Sequence, residues 1–304
     1  MFKLTFLGTS SGVPTKNRNV TGLAVQTSLN RDWWLVDCGE GTQHRLQHVP
    51  LTVHDLAGIC ITHIHGDHSY GLPGFLASAA MGGRTRPLVL AAPLAIRAWL
   101  EATMLHTELF LPYPLVHVDV AATQLMHQEA GLCIERHHLS HRAPSVAFRF
   151  AAEHRTWKID SAALRARGVP PGPMWGKLQA GHDVTLADGA LLAAADFRIE
   201  DVERAVVVVG GDNDTPSLLA DACREAQLLV HEATYTEAIL QKVGPGPTHS
   251  SVQRVAQFAT ASSAAGMAEL EAEARQHYAG QLHLAQDLAS YQLGADGVVR
   301  RLAA

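Results

Sequence analysis

Apolar and polar positions alternate from the first residues: Phe2, Leu4 and Phe6 fall on one side of Lys3 and Thr5. A period of two marks a strand with one buried face. Residues 22–26 and 33–37 predict two further strands, and 39–48 a short helix. Residues 57–62 (Ala-Gly-Ile-Cys-Ile-Thr) form a short apolar run, which fits a buried strand. Small and apolar residues over 69–81 predict a helix, followed by a strand at 88–91 and a helix at 94–105. Strands return at 115–120, 132–137 and 146–151. The β-branched run 206–209 is another strand, with a helix at 216–225 and a strand at 227–231 after it. One helix is expected from Ser250 through Ser263 and a second over 267–278. Strands alternating with helices indicate an α/β sandwich, taken as a single domain over residues 1–304.

The segment 154–181 breaks this rhythm. It holds Arg155, Lys158, Arg165, Arg167 and Lys177 against one acid, Asp160, a local charge of +4 that leaves −9 for the remainder. Pro170, Pro171 and Pro173, four glycines and two of the five tryptophans make it a poor core element. It reads as an inserted, projecting arm.

Composition narrows the class. The chain has 304 residues, 47% of them hydrophobic, enough for a large core. The net charge of −5 announces no global nucleic-acid field, so a polyanion would have to meet a local basic patch. Cys38, Cys60, Cys133 and Cys223 are scattered, without a C-x-x-C pair, and read as buried thiols in a reducing compartment. The first residues carry no basic and apolar leader pattern, and no apolar run reaches the ~18 residues of a membrane span. A cytoplasmic location is expected.

Eighteen histidines are the outlier, and some cluster. His63, His65, Asp67 and His68 directly follow the buried strand at 57–62. Imidazole and carboxylate suit zinc, and a loop at a strand end converges several donors on one point. Residues i and i+2 on extended backbone put His63 and His65 on one side, while Gly66 lets Asp67 and His68 turn to a second point. Two metal positions a few ångströms apart would activate water and stabilise an oxyanion. Further donors must come from other strand ends. His141 is one candidate, and Asp212, just past the 206–209 run, is another whose two oxygens could bridge two cations; Asp214 competes with it. Glu232 could fix the tautomer of a neighbouring imidazole, and His249 could protonate a leaving oxygen.

These motifs together resemble ribonuclease Z, the tRNA 3′-processing endonucleases of the metallo-β-lactamase superfamily. The likeness begins at Phe6-Leu7-Gly8-Thr9-Ser10-Ser11-Gly12-Val13-Pro14 and continues through Asp37-Cys38-Gly39-Glu40-Gly41-Thr42-Gln43 and His63 to His68 with Gly71-Leu72-Pro73-Gly74. It resumes at His141, at Pro171-Gly172-Pro173 with Gly176-Lys177-Leu178, at Asp212, at His231-Glu232-Ala233-Thr234 and at His249-Ser250-Ser251.

The resemblance implies an αββα sandwich with two zinc ions at one sheet edge and an arm that grips precursor tRNA through Arg155, Lys158, Arg165, Arg167, Pro171, Gly172, Pro173 and Lys177. It implies that His63, His65 and His141 hold one zinc, that Asp67 and His68 hold the other and that Asp212 bridges them. Asp67 would help activate water, and Glu232 and His249 would assist the leaving group of an endonucleolytic cut that leaves a 3′-hydroxyl on the tRNA. A homodimer is the expected assembly. Two departures stand out. The family's G-D-T-x-P stretch is one residue longer here, Gly211-Asp212-Asn213-Asp214-Thr215-Pro216. The family's last zinc ligand, a His ending a strand after the H-S-[ST] helix, has no counterpart, and His277 and His283 lack its context. The second zinc is therefore left with three protein ligands, where about four are usual. A general zinc phosphodiesterase acting on small diesters, and a catalytically weak tRNA-binding relative, are the alternatives.

Overall fold

Trp33 and Trp34 are chain neighbours, both fully buried, and they enter different cores. Successive side chains of a strand point to opposite faces, so a strand covered on both sides feeds two cores at once. The structure, a computed structural model, describes residues 2–262, 269–283 and 285–303, without the side chains of 260–262 and 269–271. The expected junction between the last two helices, residues 263–268, lies outside the described residues.

The first sheet contains β1 (Phe2–Gly8), β2 (Gly22–Thr27), β3 (Trp33–Val36), β4 (Leu56–Cys60), β5 (Leu88–Ala92) and β6 (Leu115–Asp119). Two late strands, β14 (Ser290–Leu293) and β15 (Val299–Arg301), extend it beyond β1, giving the order β15-β14-β1-β2-β3-β4-β5-β6. The second sheet has the order β13-β12-β9-β8-β7, from β7 (Leu125–Glu129), β8 (Leu132–Leu139), β9 (Ser145–Ile159), β12 (Arg198–Val209) and β13 (Leu228–Val230). Phe2, Leu4, Trp34 and Val36 of the first sheet meet Phe148, Phe150, Val207 and Val209 of the second in the central core. Trp33 and Leu35 face the other way, onto Leu46 of α1 (Thr42–Leu46), Phe75 and Leu76 of α3 (Leu72–Met81) and Ile96 and Leu100 of α4 (Leu94–His106). On the far face of the second sheet, Ala147, Val208 and Leu229 pack with Leu219, Ala222 and Phe258 of α8 (Val252–Ser262). Helix, sheet, sheet, helix is the expected αββα sandwich.

Several elements differ from their sequence expectation. The helix expected over 69–81 is two, α2 (Gly66–Ser69) and α3, because Pro73, with no N–H to donate, sits in a first turn and restarts the helix. The 216–225 segment forms only a 3-10 turn, Pro216–Leu219. β7, β14, β15 and α7 (Glu237–Val243) were not legible as elements; α9 (Glu269–His277) falls within the expected 267–278. All four cysteines are unpaired, Cys38 and Cys60 buried and the other two half-buried.

A second compact unit spans Glu153–Arg204, longer than the 154–181 segment that composition singled out. It has a core of its own, Leu164, Val169, Leu178, Val184, Leu192, Ala194 and Phe197, so the residues after Gly181 belong to it. Two short helices, α5 (Ser161–Ala166) and α6 (Pro173–Gln179), and a ribbon of β10 (Val184–Thr185) and β11 (Leu191–Leu192) build it. Asp160 caps α5 by accepting from the N–H groups of Ala162 and Ala163, and Pro173 opens α6. The charge differs from expectation too. The whole unit carries seven basic and eight acidic side chains, because acids between Asp183 and Glu203 fold with it. Arg155 pairs with Glu153 and Glu200, Lys158 with Asp201 and Arg204 with Glu153. Residues 161–182 hold Arg165, Arg167 and Lys177 with no acid among them, and all three are exposed. The positive charge is thus concentrated on the α5–α6 portion.

Candidate metal centre

Four strands end two or three residues before a residue of one cluster. β4 leads through Ile61, whose N–H bonds the Ala91 carbonyl, and Thr62, whose N–H bonds Asp37, to His63 and His65. His65 stays extended and precedes α2, which carries Asp67 and His68. β8 leads to His141, β12 to Asp212 and β13 to Glu232, while His249 lies just ahead of α8. Two glycines lock the α2 loop against the β3–α1 turn. A Cβ on Gly39 would lie 2.3 Å from the Asp67 carbonyl oxygen, and one on Gly71 2.1 Å from that of Gly39. Only bare backbone permits this approach, which the Cys38 N–H to His68 carbonyl bond then closes.

The donors converge. Nδ1 of His65 lies 3.0 Å from Nε2 of His63 and 3.1 Å from Nε2 of His141. Oδ2 of Asp212 is 3.8 Å from Nε2 of His63 and 3.7 Å from Nε2 of His141. Four donors at zinc–nitrogen bond lengths in a tetrahedron stand roughly 3.3 Å apart, so these spacings bracket a zinc coordination shell. Ring orientation agrees. His141 Nδ1 donates to the Thr248 carbonyl at 2.9 Å, and His63 Nδ1 lies 3.0 Å from Thr62 Oγ1, so both Nε2 lone pairs turn inward. The other oxygen of Asp212, Oδ1, faces His68 Nε2 at 3.5 Å, and Asp67 Oδ2 faces that same nitrogen at 3.4 Å. Asp212 therefore presents one oxygen to each of two donor groups. Asp214 turns away, its Oδ1 accepting from the Thr215 hydroxyl.

Electrostatics fit a cation. Burial, with His68 alongside, lowers the His63 pKa to about 2, leaving a neutral ligand. Burial likewise lowers His65. Burial also works against charge on His68, but Asp37, Asp212 and Asp67 outweigh it and raise the pKa well above the ordinary value. Its proton stands where positive charge is wanted. Burial would raise Asp212, yet the hydrogen bond and charge of His68 hold it below the usual carboxylate range. His249 Nδ1 lies 3.4 Å from Glu232 Oε1 and 3.6 Å from Asp212 Oδ2. Burial opposes its charge, and Glu232 and Asp212 outweigh that and raise its pKa.

Sequence reasoning named no role for Asp37. It is buried, adopts φ +60, accepts from His68 Nδ1 at 2.7 Å and takes the Thr62 hydroxyl at 2.9 and 3.0 Å. It thereby fixes His68 directly and His63 through Thr62. Its motif was visible in the sequence; its partner was not. Arg155, Lys158, Arg165, Arg167, Pro171, Gly172, Pro173 and Lys177 all belong to the second unit. Among the described residues α8 is followed by α9 with no strand between them, and β13 remains the edge of its sheet. A cavity of about 640 Å³ runs beside it, reaching Asp67, His68 and Asp212. His283 is in its wall with its ring 5.6 Å from that of Tyr291, and among the described residues the only group of three or more metal donors is His63, His65, His141 and Asp212.

Residues 2–154 match the family described as anti-Pycsar protein Apyc1. The chain is 45% identical to ribonuclease Z of Marinobacter nauticus over 313 aligned residues, covering 97% of each chain. The short form of human tRNase Z superposes with a TM-score of 0.67 at 22% identity, covering 96% of this chain and 99% of that one. The metallo-β-lactamase fold protein YhfI of Bacillus subtilis gives 0.64 at 16% identity, covering 95% and 98%. The two structural likenesses show a metallo-β-lactamase fold.

Asp37→Asn keeps the shape of the side chain and removes the charge that holds His68. It is expected to weaken divalent-cation binding at the Asp67–His68 group by about 10–100-fold, the usual cost of losing such a partner, and to affect the His63–His65–His141 group less. Chelator competition on the purified variant measures both affinities; equal losses at both groups would contradict the assignment of Asp37 to His68.

Proposed function

The chain belongs to the ribonuclease Z family, its residues 2–154 belonging also to the family described as anti-Pycsar protein Apyc1, and on that premise we propose that it is a zinc-dependent endoribonuclease that removes the 3′ trailer of precursor tRNA. The observation that carries this reading is the convergence of three imidazoles and Asp212 at tetrahedral spacing, with the second oxygen of Asp212 turned to His68. His63, His65, His141 and Asp212 would hold one zinc, and Asp67, His68 and Asp212 a second. Zinc supplies Lewis acidity to the attacking water and to the phosphate.

The chain's own groups do the rest. Oδ2 of Asp67 is held by the Gly12 N–H at 3.0 Å, which leaves Oδ1 to accept a proton from the attacking water. Glu232 is fixed through Ser250 N–H and both the N–H and hydroxyl of Thr234, and it sustains the charge on His249. With Nδ1 of His249 turned to Glu232, its Nε2 delivers a proton to the leaving 3′ oxygen. The water oxygen bonds to phosphorus, the P–O3′ bond breaks, and the tRNA departs with a 3′-hydroxyl while the trailer keeps the phosphate.

The grip on RNA is assigned to the α5–α6 portion of the second unit. Arg165, Arg167 and Lys177 are exposed and lie in the acid-free stretch 161–182, whereas Arg155 and Lys158 are already paired. A homodimer in the cytoplasm belongs to the same reading. Large exposed apolar side chains, Met81, Leu94, Leu105 and Phe110, lie on or just beyond α3 and α4, and such surfaces mark interfaces. No helix among the described residues is long and apolar enough to cross a membrane.

Five outcomes are expected. Dialysis against a mild chelator, followed by elemental analysis, should leave one zinc per chain; two retained ions would mean that a further residue completes the second position. Cleavage of a precursor tRNA by His249→Ala should fall by about 10²–10⁴-fold with zinc content unchanged, the usual worth of a general acid. Asp67→Ala should lose both rate and second-position metal. Zinc lost in step with activity in His249→Ala would make His249 a ligand instead. Replacing Arg165, Arg167 and Lys177 together by Ala should weaken tRNA binding and flatten its salt dependence by roughly 2–3 in log–log slope. Turnover of a small chromogenic diester should persist in that variant. Diester turnover without any tRNA cleavage by the unaltered protein would replace the tRNA reading by that of a small-diester phosphodiesterase.

A further inference from the structure

The loop after β12 is one residue longer than the G-D-T-x-P pattern, and Asn213 lies within it. Its side chain is fully buried. Oδ1 accepts from the Ser140 N–H and the Thr215 N–H, each at 3.2 Å. Nδ2 donates to Nε2 of His231 at 3.1 Å. The opposite amide orientation would aim two donors at two N–H groups, so the hydrogen bonds themselves fix this one. His231 agrees, since its Nδ1 donates to the Glu232 carbonyl at 2.6 Å and leaves Nε2 as an acceptor. The Asn213 backbone is engaged as well. Its N–H points at Glu232 Oε1 at 3.4 Å, and its carbonyl takes the Ser250 hydroxyl at 2.5 Å.

The positions of these partners matter more than their number. Ser140 precedes His141, Asn213 itself follows Asp212, His231 precedes Glu232, and Ser250 follows His249. One buried amide and its own peptide groups therefore join four segments that arrive from β8, β12, β13 and the start of α8. Each of those segments delivers one residue of the metal and proton-transfer group. The donors in question sit 3.4 to 3.7 Å apart, a range in which a shift of a few tenths of an ångström alters every pair.

We propose that Asn213 is a positioning residue that holds His141, Asp212, Glu232 and His249 in register by clamping the four segments that carry them. It touches neither metal nor substrate. Its effect on turnover rests on the nuclease reading above, whereas its effect on metal affinity does not.

The experiment uses the full chain with zinc restored. Asn213→Ala should bind zinc about 10–100-fold more weakly than the unaltered protein by chelator competition, as loss of an outer hydrogen-bond partner generally does. Its kcat on precursor tRNA should fall about 10²-fold, the cost of a misplaced catalytic group, with KM little changed. His231→Ala removes the imidazole that the amide carboxamide meets. Adding it to Asn213→Ala should cost little further affinity, because residues acting as one unit are not additive. A residue that merely stabilised the loop would lower the melting temperature and leave the zinc affinity of the folded protein intact. Ser250→Ala is the milder variant should Asn213→Ala not fold; it removes one hydroxyl from the clamp and should weaken zinc about fivefold, the worth of one hydrogen bond. Native zinc affinity in folded Asn213→Ala, or in Ser250→Ala where only that variant folds, would overturn the proposal. Weakened zinc binding with no tRNA cleavage even by the unaltered protein would leave the clamp standing and sink the nuclease reading instead.

Discussion

Four imidazoles surround one buried carboxylate. Asp212 has His63, His141 and His249 within 3.6 to 3.8 Å of one oxygen and His68 at 3.5 Å from the other. Packing that many polar groups into a buried volume costs stability unless each is partnered or a cation binds them. The surrounding structure answers that requirement. Asp37 takes His68 Nδ1, Thr62 faces His63, the Thr248 carbonyl takes His141, and Glu232 faces His249. The first three of these partners fix a ring as well as satisfying it, so stability and ring geometry come from the same bonds. Thr248 holds φ +55 and Asp37 φ +60, conformations that side-chain-bearing residues seldom adopt.

The sandwich exists in a form that brings strand ends together. β4, β8, β12 and β13 belong to two different sheets, yet each ends beside the cluster. The second sheet has five strands against eight in the first, and its β13 edge borders the cavity that reaches Asp67, His68 and Asp212. On the proposed reading, the metal position nearest that cavity would have the fewer protein donors among the described residues. This asymmetry separates the His63–His65–His141 group from the Asp67–His68 group, which borders the cavity.

Charge is divided just as sharply. The second unit is close to neutral overall, with Glu153, Glu200 and Asp201 ion-paired along β9 and β12 and the exposed Arg165, Arg167 and Lys177 on the α5–α6 portion. A polyanion would meet a local positive field there, although the chain as a whole is negative. Trp157 and Trp175 lie under Arg198 and Arg165, so part of the aromatic content of this unit serves its own packing.

The sequence by itself determined the layers and most of the donors. The apolar runs at 33–36 and 206–209 marked strands, and the structure buries both faces of each, because successive side chains of a strand point to opposite sides. His63, His65, Asp67 and His68 were legible because one short loop carries them all. The extent of the second unit was not, since its closing residues after Gly181 look like ordinary polar chain until Leu192 and Phe197 are seen packed on Leu164. Strands β14 and β15 were missed for a related reason: three or four residues are too few positions to show a period, and only the pairing of β14 with β1 and of β15 with β14 makes them strands. Asp212 was favoured over Asp214 in the sequence because it directly follows the 206–209 run. The tertiary structure shows what text cannot, that the end of β12 aims Asp212 at His63 and His68 while Asp214 turns to Thr215. The same holds for Asp37 and Asn213. Their value lies in hydrogen bonds to residues distant in the chain, and such bonds are a property of the folded distances, which no local pattern encodes.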